Sequence, residues 1–142
     1  MPNNSREATL FVDTNVFLRY LTNDVPKQAE RAEQIFRSAA DGAATLITNV
    51  VVVAEIVWTL ESYYKIHRPE IRELVLAILN SDGLEIENAD LILQAVTDYV
   101  DLNIDFADAY DAAWSLDRGV SQICTFDARH FNRVDGIEVI SP

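Results

Sequence analysis

Short apolar segments alternate with longer stretches of helical periodicity along this chain, and that alternation predicts an α/β fold with a parallel sheet flanked by helices. Three of the strand candidates are short and apolar, as strands buried in a parallel sheet are. Stop signals fall between the segments, at Asp41-Gly42, Ser81-Asp82-Gly83 and Gly119. The length of 142 residues suits a single domain over 1–142, with a flexible polar segment at about 1–7. Hydrophobic residues at 49% and charged ones at 24% are an ordinary globular balance.

The elements run in order. Residues 8–12 read as the first strand, and a short helix is expected over about 15–21. Asp24 and Pro26 open a second helix reaching about Ala40, because proline is favoured in a first turn. Residues 45–48 are the second strand, after which Asn49 caps a long helix over about 50–64. Arg68-Pro69 starts the next helix, with Ile71, Leu74, Val75, Ile78 and Leu79 on one face. Residues 84–87 alternate as the third strand. Asn88 caps a helix that turns Ile92, Ala95, Val96, Tyr99 and Val100 inward. Asp105 caps another, with Ala109, Ala112, Ala113 and Leu116 inward. Residues 121–124 and 137–140 are the fourth and fifth strands. Ligands of such sheets bind at the carboxyl ends of the strands.

Twenty-three acids against eleven Lys and Arg leave a formal net charge of -12. That excludes a general nucleic-acid coat, which needs a basic face. It suits a basic protein partner, and it allows a nuclease whose acids are neutralised by metal. The single Cys124 permits no internal disulfide and reads as a small hydrophobe in a buried strand. No apolar run approaches a membrane span, and the polar first residues resemble no signal peptide, so a cytoplasmic location is expected.

Four carboxylates stand out. Asp13 ends the first strand in Leu10-Phe11-Val12-Asp13-Thr14-Asn15. Glu55 is the only charge in Val50-Val51-Val52-Val53-Ala54-Glu55-Ile56-Val57-Trp58-Thr59-Leu60. Asp108 lies in the first turn of the helix announced by Asp105-Phe106-Ala107-Asp108-Ala109, and Asp127 follows another apolar strand, in Ile123-Cys124-Thr125-Phe126-Asp127. A carboxylate in apolar surroundings is costly unless a cation or donors offset it, and a hard divalent cation with oxygen ligands is the economical explanation. Three of the four acids also have a plain structural reading, whereas Glu55, set among apolar neighbours, is harder to dismiss. Asp13 belongs to a good helix-opening sequence, Asp108 to a capping box with Asp105, and Asp127 to a turn. It is their conjunction that points to metal chemistry. Asp111, one turn beyond Asp108, shares the site or faces solvent.

These motifs resemble the PIN-domain ribonucleases, specifically the VapC-type toxins of type II toxin–antitoxin pairs. The pieces are Phe11-Val12-Asp13-Thr14-Asn15-Val16, Val53-Ala54-Glu55, Asp105-Phe106-Ala107-Asp108-Ala109 and Thr125-Phe126-Asp127. The resemblance implies a three-layer sandwich with a central parallel five-stranded sheet in the order 3-2-1-4-5. It implies Mg²⁺ or Mn²⁺ at the catalytic acids Asp13, Glu55, Asp108 and Asp127, with Asn15 and Thr125 as polar helpers. It also implies an RNA substrate, a homodimer and a cognate antitoxin. Hydrolysis by in-line attack of water would leave a 5′-phosphate and a 3′-hydroxyl. Phosphate-positioning candidates are Arg19, Arg129, His130 and Arg133, though for any one of them the ordinary exposed charge is the favoured reading. Two rival readings remain. One is a receiver, which wants a strand-end lysine where this chain has only Lys27 and Lys65, both expected on helices, or an acid-pocket phosphatase, which wants a second Asp two residues after the nucleophile, where Asn15 stands. The other is a silent interaction module that keeps the fold as a scaffold.

Overall fold

The strand β1 (Ala8–Phe11) pairs in parallel with β2 (Ala44–Thr48), Ala8 opposite Ala44 and Phe11 opposite Ile47. β2 pairs in parallel with β3 (Leu84–Ile86) on its other side. This computed structural model describes residues 8–142, so the expectation of flexibility at 1–7 lies outside the described residues. The helices are α1 (Thr14–Thr22), α2 (Pro26–Ala40), α3 (Val50–Ser62), α4 (Arg68–Leu79), α5 (Ala89–Asp101) and α6 (Phe106–Asp117). A second parallel pair, β4 (Gln122–Cys124) with β5 (Glu138–Ile140), follows, with a 3₁₀ turn at Phe131–Arg133 between them.

The α/β class and the 3-2-1 and 4-5 neighbourhoods match expectation. A single five-stranded sheet does not appear among the described residues, which form a three-stranded and a two-stranded sheet. β5 takes one edge of β4, and the pairing continues past the strand ends: Thr125 N–H donates to Ile140 O, and Glu138 N–H to Ser121 O. The strands are also less buried than short apolar segments suggest. All four β1 residues are exposed, and only β2 carries buried positions, at Leu46 and Thr48. In β4 the alternation gives Ile123 the inner position and leaves Cys124 exposed, correcting its reading as a buried hydrophobe.

The chain divides into two compact units. The first ends at Ile56 and takes in Leu76–Glu87; the second comprises Val57–Val75 and Asn88–Pro142. In the first, the buried Phe17 of α1 meets Phe36 of α2 at 5.4 Å between ring centroids, and Tyr20 meets the same ring at 4.9 Å. Arg19 Nε adds a bond to Gln28 Oε1 at 2.9 Å, so the last turn of α1 is fastened to the first turn of α2. In the second, α5 packs on α6, where Ala109, Ala112 and Ala113 offer a small-residue face to Ile92, Ala95, Val96 and Tyr99. Leu116, expected inward, sits in the last turn of α6 and is exposed. No helix among the described residues is long and apolar enough to cross a membrane.

Cap chemistry is mixed. Asn49 caps α3 as expected, its Oδ1 accepting from Val52 N–H at 3.2 Å. Asn88 instead sits at φ +57 with no side-chain bond to α5, a left-handed conformation that turns the chain rather than capping it. Asp105 has an extended cap backbone but directs its side chain elsewhere. Gly83 is the one glycine whose lack of a side chain is demanded twice. It holds φ +78, and a Cβ there would run into the backbone carbonyl of Ala39. Gly83→Ala is therefore expected to cost at least about 1–3 kcal/mol, the usual strain of a left-handed non-glycine residue. A lowered urea midpoint checks it; an unchanged midpoint would show that the turn relaxes freely.

Candidate functional site

In the first unit one threonine holds two of the acids. Asp13 ends β1 and starts α1 as its N-cap, its Oδ1 accepting from Thr14 N–H at 2.7 Å. The Thr14 hydroxyl donates to Glu55 Oε2 at 2.9 Å, across 41 residues of sequence. Thr14 is buried while both carboxylates are exposed. The helix-opening role of Asp13 is thus realised, and it leaves Oδ2 without a partner among the described residues. Glu55 does not lie in apolar surroundings as expected. α3 is apolar around most of its circumference, and the stripe Val51, Glu55, Trp58 is the one that faces outward. Burial cost is therefore no argument for metal at either acid.

In the second unit the focus is Asp108. Its carboxylate does not bond back to the cap. Instead Oδ2 lies 2.8 Å from His130 Nδ1, and Asp105 Oδ2 lies 3.7 Å from the same nitrogen. Asp105, Asp108 and His130 each offer one ligand atom, all within 4.8 Å of one another. Two carboxylates and an imidazole are a donor set that fits a divalent cation.

Comparison with known proteins decides the family. The family described as PIN domain matches residues 10–137, nearly the whole chain. The chain belongs to the PIN-domain family. A VapC ribonuclease of Aquifex aeolicus (strain VF5) is 28% identical over 131 residues, which cover 92% of this chain and 95% of that protein. The crystal structure of VapBC2 from Rickettsia felis, bound to a DNA fragment from their promoter, aligns over 94% of this chain and 98% of its own. It does so at 12% identity and a TM-score of 0.37. Membership displaces the receiver or phosphatase reading, and the chain offers no strand-end lysine for it. Lys27 lies on α2, and Lys65 lies between α3 and α4 at φ +57, not on a helix as expected.

The remaining candidates of this PIN domain are held by local bonds. The Asp127 carboxylate takes three donors from Arg129: the backbone N–H and Nε to Oδ1, and Nη2 to Oδ2 at 2.8 Å. The Arg129 guanidinium and backbone N–H together pull the Asp127 pKa down to about 2. Thr125 bonds the backbone of Asp127 and not its carboxylate, its Oγ1 accepting from Asp127 N–H at 3.0 Å. Arg133 Nη1 donates to the carbonyls of Leu102 and Asn103 and so braces the loop before α6. Arg19 pairs with Asp24 at 3.2 Å. Asn15, exposed in the first turn of α1, lines a cleft of about 580 Å³ between α1 and α2, together with Arg19 and Arg31. Asp111 is exposed, yet partial desolvation, and then repulsion from Asp108, raise its pKa.

Arg129→Gln is expected to let Asp127 titrate near the ordinary carboxylate value of about 3.9, up from about 2. A depressed carboxyl stabilises the fold above its unfolded pKa and loses that contribution as pH falls through the folded one. The wild-type protein should therefore lose this contribution between roughly pH 4 and pH 2, and the variant should have little of it to lose. Carboxyl carbon NMR against pH reads the shift, and an unmoved Asp127 would show that Arg129 is not its partner in solution.

Proposed function

We propose that this PIN domain is a metal-dependent endoribonuclease and the toxin of a type II toxin–antitoxin pair. The observation that carries the reading is the family match over residues 10–137, within which Asp13, Glu55, Asp108 and Asp127 all fall. The relative named VapC ribonuclease, matched along nearly its full length, supports the substrate class. Mg²⁺ or Mn²⁺ would supply the positive charge that activates water and stabilises the phosphate oxygens. The chain's own part is to hold that charge. In the first unit Asp13 and Glu55 each present a carboxylate oriented by Thr14. In the second, Asp108 presents its carboxylate beside His130. Asp127 acts in this reading through a carboxylate that Arg129 holds in place with bonds to both oxygens. Single-stranded or looped RNA is the favoured substrate, because only unstacked bases are easily read. A cognate antitoxin, a homodimer and a cytoplasmic site of action belong to the same reading.

The test is cleavage of single-stranded RNA by the purified chain with Mg²⁺ or Mn²⁺, with a chelator and Asp13→Asn as controls. Products should carry a 5′-phosphate. Expression of the chain alone should arrest growth and expression of Asp13→Asn should not. A folded chain that cleaves no RNA with either ion would sink the reading in favour of a silent module. Cleavage without growth arrest would remove only the toxin assignment.

A further inference from the structure

Phe126 is the most exposed large apolar side chain among the described residues, at 90% against 74% for Tyr63, the next. A single exposed ring is ordinary on a protein surface. The setting of this one is not. It stands between Thr125 and Asp127 in the turn that leaves β4, and both neighbours are pinned. Thr125 N–H donates to Ile140 O, and Thr125 Oγ1 accepts from Asp127 N–H at 3.0 Å. Asp127 is bonded through both carboxylate oxygens to Arg129. The ring is therefore carried on a backbone with little freedom while the ring itself stays open to water. A group ordered before its ligand arrives loses less entropy on binding. The turn lies past the carboxyl end of β4, the edge at which parallel sheets bind ligands. The next residue, Asp127, is one of the four candidate acids.

We propose that Phe126 is a substrate-positioning residue, on whose ring one base of a single-stranded RNA stacks beside Asp127. Every base has a π-face, and a single strand leaves those faces open, so the ring can hold a base without reading its edge. In a duplex the bases cover one another, and the ring has nothing to take. The other exposed side chains of the turn, Asp127 and Arg129, form an ion pair. They surround the ring with charge instead of extending it into the apolar centre that a protein interface needs. The proposal rests on the ribonuclease reading and adds to it the place where the chain grips the RNA.

The test is steady-state cleavage of a single-stranded oligoribonucleotide by the full chain with Mg²⁺ or Mn²⁺. Phe126→Ala should raise KM roughly 5- to 150-fold, the worth of one stacked base. Its kcat should change far less, because stacking holds substrate and transition state alike. Phe126→Trp should keep the wild-type KM. Phe126→Leu, apolar but without a π-face, should not. The same RNA with one abasic ribose, moved position by position, identifies the base. At one position KM should rise as it does in Phe126→Ala, and the two changes combined should add nothing more. An unchanged KM in Phe126→Ala, a Phe126→Leu that matches the wild type, or additive effects at every position overturns the proposal and leaves the ribonuclease reading standing. A KM that changes only together with the oligomeric state makes the ring a contact between copies and also overturns it. A wild-type chain that cleaves no RNA overturns both. Phe126→Leu and Phe126→Trp keep a bulky apolar side chain, so they decide the matter even if Phe126→Ala does not fold.

Discussion

Glu55→Gln is expected to remove most RNA cleavage while leaving the fold about as stable as the wild type. Glu55 stands exposed on α3, so the substitution deletes no buried packing. The amide oxygen still accepts from the Thr14 hydroxyl, which now donates to Oε2 at 2.9 Å. Loss of one negative charge near Asp13 slightly relieves repulsion in the metal-free protein, and exposure keeps that gain small. Catalysis is different, because an amide is a poor partner for a divalent cation and adds no negative charge. Removing a group that stabilises transition-state charge lowers rates by roughly 10²–10³-fold. Initial rates of RNA cleavage at saturating Mn²⁺, beside thermal melts in chelator, separate the two effects. Full activity in Glu55→Gln would take Glu55 out of the reaction. A collapsed melt would make its role structural.

Thr14 is also where sequence reasoning stops short. Its neighbours announce a helix start, and α1 begins there. Its bond to Glu55 spans 41 residues, and nothing local in either segment signals it. Helix boundaries were legible because their causes are local: Pro26 at a first turn, Asn49 as a cap, Gly83 at a left-handed turn. Burial was less so. The run around Glu55 is apolar on every side, so periodicity cannot say which stripe the fold leaves outward, and the structure exposes Val51 and Trp58 with it. Strand pairing is non-local as well, and the sequence order of β1 and β4 says nothing about which edges share hydrogen bonds. The Arg129 clamp on Asp127 was legible in principle. A turn aspartate followed two residues later by arginine is a local pair, and its guanidinium is engaged by the Asp127 carboxylate. His130, twenty-two residues beyond Asp108, became a partner of that acid only through the 3₁₀ turn that follows it.

Arg68→Met is expected to be the most destabilising single change in the second unit. Arg68 opens α4, and its Nε donates to Glu61 Oε1 at 3.0 Å. Its Nη1 donates to Tyr99 O at 2.9 Å and Ile104 O at 2.8 Å, and the guanidinium lies 4.2 Å from the centre of the Tyr99 ring. One side chain thus ties α3, the end of α5 and the loop that leads into α6. Methionine keeps the stem's volume but strips the donors from two carbonyls and the counter-charge from Glu61. Breaking a fully buried pair costs roughly 3–5 kcal/mol. The Glu61 side chain is 39% exposed, so water offsets part of that loss, and about 2–4 kcal/mol is expected instead. Arg68→Lys should fall between, since an ammonium keeps the charge but not the planar fork. Urea titrations read the midpoints. Because Ile104 O immediately precedes Asp105, Arg68→Met should also weaken Mn²⁺ binding by loosening the start of α6, whereas a surface ion pair would leave metal affinity untouched. A change below about 0.5 kcal/mol would show that water replaces the guanidinium at all three acceptors, which the shielding of Arg68 argues against.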